Sequence, residues 1–160
     1  MTDDTTDHGD MKTMRFAKPL ALLAGLTLSA PTLAAAPAAM LYKSPQCDCC
    51  EEYADYLRAN GYTVTVVPTH SLSLVKRQHG VPQALEGCHT MLVDGYAVEG
   101  HVPASVLNRL LAERPAEIRG ISLPGMPTGS PGMSGPKVEP FTIYTLPRDA
   151  ASEPAVYAVE

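Results

Sequence analysis

Clusters of lysine and arginine are missing from this chain of 160 residues: no basic run follows residue 20, and the net charge is -5. Phosphate contacts need such clusters, so nucleic acid is disfavoured as a partner. Long apolar stretches are missing too. The apolar run at residues 19–30 has twelve residues, too short to span a bilayer comfortably. No internal repeat is present, which speaks against solenoids and propellers. Tryptophan is absent and aromatics make up only 6% of the chain, yet apolar residues reach 45%. That balance suits an ordinary globular protein. The length allows one compact domain with a real core, not comfortably two.

What is present begins with a targeting signature. Lys12, Arg15 and Lys18 form a positive region ahead of the apolar run. Ala34-Ala35-Ala36 offers small residues for cleavage after Ala36, with Ala38 as the alternative. The competing reading is an N-terminal membrane anchor. Residues 1–10 carry four Asp and no apolar run, as an over-extended start would, with Met11 or Met14 the better initiator. The expected organisation is a signal peptide at 1–36, a folded domain at 37–147 and a flexible C-terminal tail at 148–160. Cleavage leaves 9 basic and 13 acidic residues, a net charge of -4. The mature form has no stable membrane span on this reading.

Periodicity orders the folded part. Residues 38–43 read as a strand, broken by Ser44-Pro45. Cys50, Tyr53, Ala54 and Leu57 then repeat at helical spacing, and Asn60-Gly61 ends that helix. Asp48, Glu51 and Glu52 lie in its first turn, where acids suit the positive end of the dipole. Residues 62–67 are a β-branched strand and 71–78 a short helix with Leu72 and Val75 on one side. Residues 89–93 and 96–99 flank the turn signal Asp94-Gly95 and read as a hairpin. Val106, Leu107, Leu110 and Leu111 stripe a third helix that follows Pro103. This is the order of an α/β, thioredoxin-like fold: a βαβ unit, then a hairpin and a helix. Residues 124–136 are too rich in Gly and Pro for a helix or central strand. Residues 141–146 can add one edge strand.

The chemistry lies in four cysteines, Cys47, Cys49, Cys50 and Cys88. Three of them sit in the turn that opens the first helix, where unpaired N–H groups favour thiolate. In a thioredoxin-like fold the segment before the third strand packs against that turn, so Cys88 and His89 would face it. Four sulfurs at a partly exposed edge suit a soft ion, Cu(I) or Zn(II). Adjacent Cys49 and Cys50 crowd a tetrahedral zinc cage, and bridging thiolates favour low-coordinate or clustered Cu(I). The alternative is two disulfides, for instance Cys47–Cys50 and Cys49–Cys88. Cys47 and Cys50 also form a C-x-x-C pair, the motif of thiol–disulfide exchange. Cys49 inside that motif argues against a simple two-cysteine switch.

Weaker candidates surround the cysteines. His89 can serve as a ligand or support one. His101 follows the hairpin, where a lone histidine is more often a surface residue. Met126 and Met133 lie in the Gly/Pro loop, and thioether is a good Cu(I) ligand. The plainer reading has both methionines pinning the loop to the domain. His70 and His79 read as solvated.

Several ordered strings now carry a resemblance. They are Lys43-Ser44-Pro45-x-Cys47-x-Cys49-Cys50, Gly80-Val81-Pro82, Cys88-His89-Thr90, Val93-Asp94-Gly95-Tyr96, Glu99-Gly100-His101-Val102-Pro103 and the Met126–Met133 loop. Together they resemble the CopG-like family of periplasmic copper-resistance proteins, over about residues 40–146. The resemblance implies a thioredoxin-like fold and a small Cu(I)–thiolate cluster on Cys47, Cys49, Cys50 and Cys88. It implies a periplasmic location and a role in interconverting Cu(I) and Cu(II). His89, His101, Met126 and Met133 would form an outer shell or a transfer route. Copper ions, and other periplasmic copper-handling proteins, are the expected partners. A periplasmic thiol–disulfide oxidoreductase using Cys47 and Cys50 is the alternative, and a structural zinc or disulfide-stapled module a third.

Overall fold

A computed structural model describes residues 1–2 and 35–160. The signal-peptide and start-site expectations lie almost wholly outside the described residues. No helix among the described residues is long and apolar enough to cross a membrane.

The elements follow in the order β1 (Ala38–Lys43), α1 (Asp48–Ala59), β2 (Thr63–Pro68), α2 (Leu72–Gln78), β3 (His89–Val93), β4 (Tyr96–Glu99), α3 (Ala104–Glu113), β5 (Ile118–Ser122), β6 (Thr142–Pro147) and β7 (Val156–Val159). A 3-10 turn at Gln83–Leu85 precedes β3. The strands form one sheet in the order β2-β1-β3-β4-β5-β6-β7. β1 and β2 are parallel, as a crossover through α1 requires. β3 runs antiparallel to β1 and returns through Asp94-Gly95 to β4. This α/β arrangement is compatible with the thioredoxin-like fold expected from the pattern.

Strand alternation divides the core between two sheet faces. Leu41, Met91 and Val98 meet Tyr53, Ala54 and Leu57 of α1 and Leu107 and Leu110 of α3. On the opposite face Ala97 and Leu146 pack with Val81 and Leu85. The helical stripe Cys50, Tyr53, Ala54 and Leu57 is the buried side of α1.

Three features differ from the sequence reading. β5 forms at Ile118–Ser122, where no strand pattern stands out, because its Gly120 lies directly against the Ala97 backbone of β4. β6 is not an edge, since β7 pairs with it. Residues 148–160 therefore do not form a free tail. Their last residue exchanges two backbone hydrogen bonds with Phe141, at 2.7 and 3.0 Å. In α2 the side chain turned inward is Lys76, while Leu72 and Val75 are only half-buried, because a buried carboxylate waits beneath it.

Candidate metal centre

The cysteine turn is shaped by the end of β1. The Cys47 N–H donates to the Ser44 carbonyl at 3.0 Å, closing the turn. Lys43, 3% exposed, donates from Nζ to the Cys47 carbonyl at 3.0 Å and meets Glu51 of α1 at 3.1 Å. That clamp fixes the entrance to α1, whose N-cap is Cys47 itself. Cys49 and Cys50 fall in the first turn of the helix, among its unpaired N–H groups.

The start of β3 supplies the fourth sulfur. Register pairs His89 with Lys43, so Cys88 lies just beyond the end of β1, against the cysteine turn. Cys88 Sγ is 3.7 Å from Cys50 Sγ and 4.0 Å from Cys49 Sγ, and Cys47 and Cys49 are 3.4 Å apart. All four sulfurs lie within 4.8 Å of one another. Cys47 and Cys50 are joined as a disulfide, with Cα atoms 5.6 Å apart, while Cys49 and Cys88 are free thiols. One of the two disulfides considered from sequence is thus formed and the other is not. Four-thiolate ligation requires an external two-electron reductant to open this bond to two thiolates.

Two imidazoles sit behind the sulfurs, both fully buried. His101 is therefore not a surface residue. Its Nδ1 lies 2.6 Å from the Pro131 carbonyl, which can only accept, so Nδ1 carries the proton. Nε2 then presents its lone pair to Cys88 Sγ at 2.8 Å. His89 reaches the same sulfur from Nδ1 at 3.5 Å. Its Nε2 is buried without a hydrogen-bond partner. Tyr53 walls both rings, 4.7 Å from His89 and 5.0 Å from His101 between centroids, and donates its hydroxyl to the Val102 carbonyl at 2.8 Å. Cys50, Cys88, His89 and His101 form a second donor group within 4.8 Å.

Burial sets the protonation of these groups. It lowers both histidines below the usual imidazole value, His89 strongly, so both are neutral and able to donate lone pairs. Burial, reinforced by Cys49, pushes the Cys88 thiol up to about 12. A bare thiolate is thus disfavoured there, and a cation that replaces the proton relieves both penalties.

The Gly/Pro loop closes over this cluster. Gly132 sits on the backbone of α1, at Tyr53, and Pro131 holds His101. Met126 is 58% exposed and shares a shallow depression of about 250 Å³ with Cys88 and Glu86. Met133 is half-buried one residue beyond Gly132. His70 is exposed and His79 half-buried, and neither is among the groups gathered at the sulfurs. Sequence reasoning missed Lys43 and Glu99 as parts of the site, though both lie in the motif strings that carry the resemblance. It also missed the Pro131 carbonyl, because nothing local marks a loop that folds back onto a distant histidine.

Comparison with known proteins gives the family. Two solved structures of a copper resistance protein CopG, designated forms 2 and 1, share 35% identity and a TM-score of 0.70 with this chain. Form 2 covers 78% of this chain and 98% of its own, form 1 77% and 96%. This chain belongs to the CopG family of copper-resistance proteins. The family described as "Protein of unknown function, DUF411" matches residues 85–133, which run from just before Cys88 to the end of the Met loop. No curated protein matches the chain. This member of the family carries a cysteine cluster with the donor chemistry of a metal site: soft sulfur, neutral imidazole and one orphaned ring nitrogen.

Proposed function

We propose that this protein binds copper(I) as cargo in the periplasm, on Cys47, Cys49, Cys50 and Cys88. The observation that carries the reading is the convergence of four sulfurs within 4.8 Å, three from one turn and one from a distant segment. Soft thiolates select Cu(I) over harder ions, and crowded sulfurs can bridge more than one ion. The nitrogens of His89 and His101 stand ready to complete the coordination. Harder nitrogen donors suit Cu(II), so a site with both donor types can serve either oxidation state. Met126, exposed in the depression that also holds Cys88, would pass copper to other periplasmic copper-handling proteins. The Cys47–Cys50 disulfide fits an oxidising compartment, as does the export signature.

Anaerobic Cu(I) titration of the reduced protein tests this reading. Cys49→Ser should lower copper per protein sharply, and an unchanged stoichiometry means that Cys49 is not a ligand.

The Cys47–Cys50 bond favours a second reading, thiol–disulfide exchange. Reduction of insulin by metal-free protein supports that activity. Its absence, together with tight Cu(I) uptake, leaves the copper reading alone.

A further inference from the structure

Two charged side chains lie beneath the segment that carries Cys88. Lys76 of α2 is 4% exposed and Glu99, at the end of β4, is fully buried. The two form an ion pair. Each also grips the chain on either side of the sulfur. The Glu99 carboxylate accepts the Gly87 N–H at 2.7 Å and the Thr90 hydroxyl at 2.7 Å. Lys76 Nζ donates to the Gly87 carbonyl at 3.1 Å. Both backbone polar groups of Gly87 are therefore held by one pair, and Cys88 and His89 are suspended between two anchored residues.

Stability is a poor explanation for this pair. Taking two charges out of water costs several kcal/mol each, and apolar replacements of a buried pair are often neutral or stabilising. What apolar side chains cannot do is hold an N–H, a carbonyl and a hydroxyl at fixed positions. Cys88 needs that precision, because its sulfur must meet two others at 3.7 and 4.0 Å from a different part of the chain. Metal sites lose affinity when the groups that orient their ligands are removed, even if every ligand remains.

We infer that Lys76 and Glu99 are positioning residues for Cys88, holding its segment against the cysteine turn through Gly87 and Thr90. The consequence for copper rests on the function proposed above. The effect on the segment itself does not, and the two can be tested apart.

The test compares the reduced parent protein with Lys76→Met/Glu99→Leu and with Thr90→Val. Three quantities are measured: the thermal midpoint, amide hydrogen exchange at Gly87 and Cys88 without metal, and Cu(I) affinity in competition with a chelator. The double variant should fold but melt below the parent, because its apolar pair leaves the Gly87 N–H, the Gly87 carbonyl and the Thr90 hydroxyl without these partners. Its Gly87 amide should exchange at least about tenfold faster, and its Cu(I) affinity should fall about 10–100-fold. Thr90→Val, which loses one anchor, should shift both in the same direction by less. A folded double variant with parental exchange and parental affinity overturns the inference. If the double variant does not fold, Thr90→Val decides: parental exchange and affinity overturn it, and a shift in both supports it. If the parent itself takes up no Cu(I), the copper reading fails, and the metal-free exchange of the variants still decides the positioning role.

Discussion

Gly132→Ala offers a close test of how the Gly/Pro loop serves the site. Gly132 has φ +77°, and a Cβ there would lie 2.5 Å from Tyr53 N and 2.8 Å from Tyr53 Cα. Both are backbone atoms of α1, which cannot yield. An L-residue in the left-handed region costs about 1–2 kcal/mol. Ordinary contact needs about 3.5–4.0 Å, so the loop must lift by roughly 1 Å. Pro131 rises with it, and its 2.6 Å bond to His101 Nδ1 stretches out of hydrogen-bonding range. Leaving that buried donor unpaired costs about 1–3 kcal/mol more. The sum is about 2–5 kcal/mol, or roughly 8–20 °C in melting temperature at about 4 °C per kcal/mol. Gly61→Ala is the control: its φ is +89° but nothing lies within 4 Å of the added Cβ. It should lose only the conformational term, about 1–2 kcal/mol. Thermal melts of the metal-free proteins give the stabilities, and imidazole ¹⁵N NMR reports the His101 tautomer. If Gly132→Ala melts with Gly61→Ala and keeps the Nδ1–H signal, the loop does not hold His101 as described.

Acid should destabilise the metal-free domain. His89 and His101 both titrate lower when folded, so the unfolded chain binds more protons and stability falls as pH drops below about 6.5, by up to about 1.4 kcal/mol per pH unit for each histidine. Burial raises the Glu99 carboxyl, which acts in the opposite sense from its unfolded value upward, so two histidines oppose one carboxyl between pH 6.5 and 5.5; a melting temperature that is flat or rises on acidification there contradicts the burial of the imidazoles. Tyr53→Phe keeps the wall behind both rings but leaves the Val102 carbonyl without its donor. It should cost about 1–3 kcal/mol in melts while Cu(I) stoichiometry stays parental, and lost copper would give the hydroxyl a role beyond its bond to the Val102 carbonyl. Protein with the Cys47–Cys50 disulfide intact should take up much less Cu(I) than reduced protein, since two of four sulfurs are committed; equal uptake would show that Cys49, Cys88 and the histidines suffice.

Local pattern carries much of the fold. The spacing of Cys50, Tyr53, Ala54 and Leu57 marks the buried face of α1, and Asp94-Gly95 marks the β3–β4 turn, because each depends on neighbours in sequence. The meeting of Cys88 with Cys47, Cys49 and Cys50 is legible only once the strand order is assumed, since 38 residues separate Cys88 from Cys50. β7 escapes pattern reading because its residues are half-buried or exposed, and only pairing with β6 orders them. Nothing local marks Lys76 as buried, for its partner Glu99 lies 23 positions away. His101 reads as surface for the same reason: Pro131, which covers it, lies 30 positions on, in a loop that has no pattern of its own. Burial of polar groups depends on distant partners, and one-dimensional periodicity does not report them.

Copper K-edge X-ray absorption of the reduced, Cu(I)-loaded protein tests most directly whether the four sulfurs share the metal. The expected spectrum has a first shell dominated by sulfur that shrinks in Cys49→Ser. A first shell of nitrogen and oxygen, or no copper retained after desalting, would contradict it.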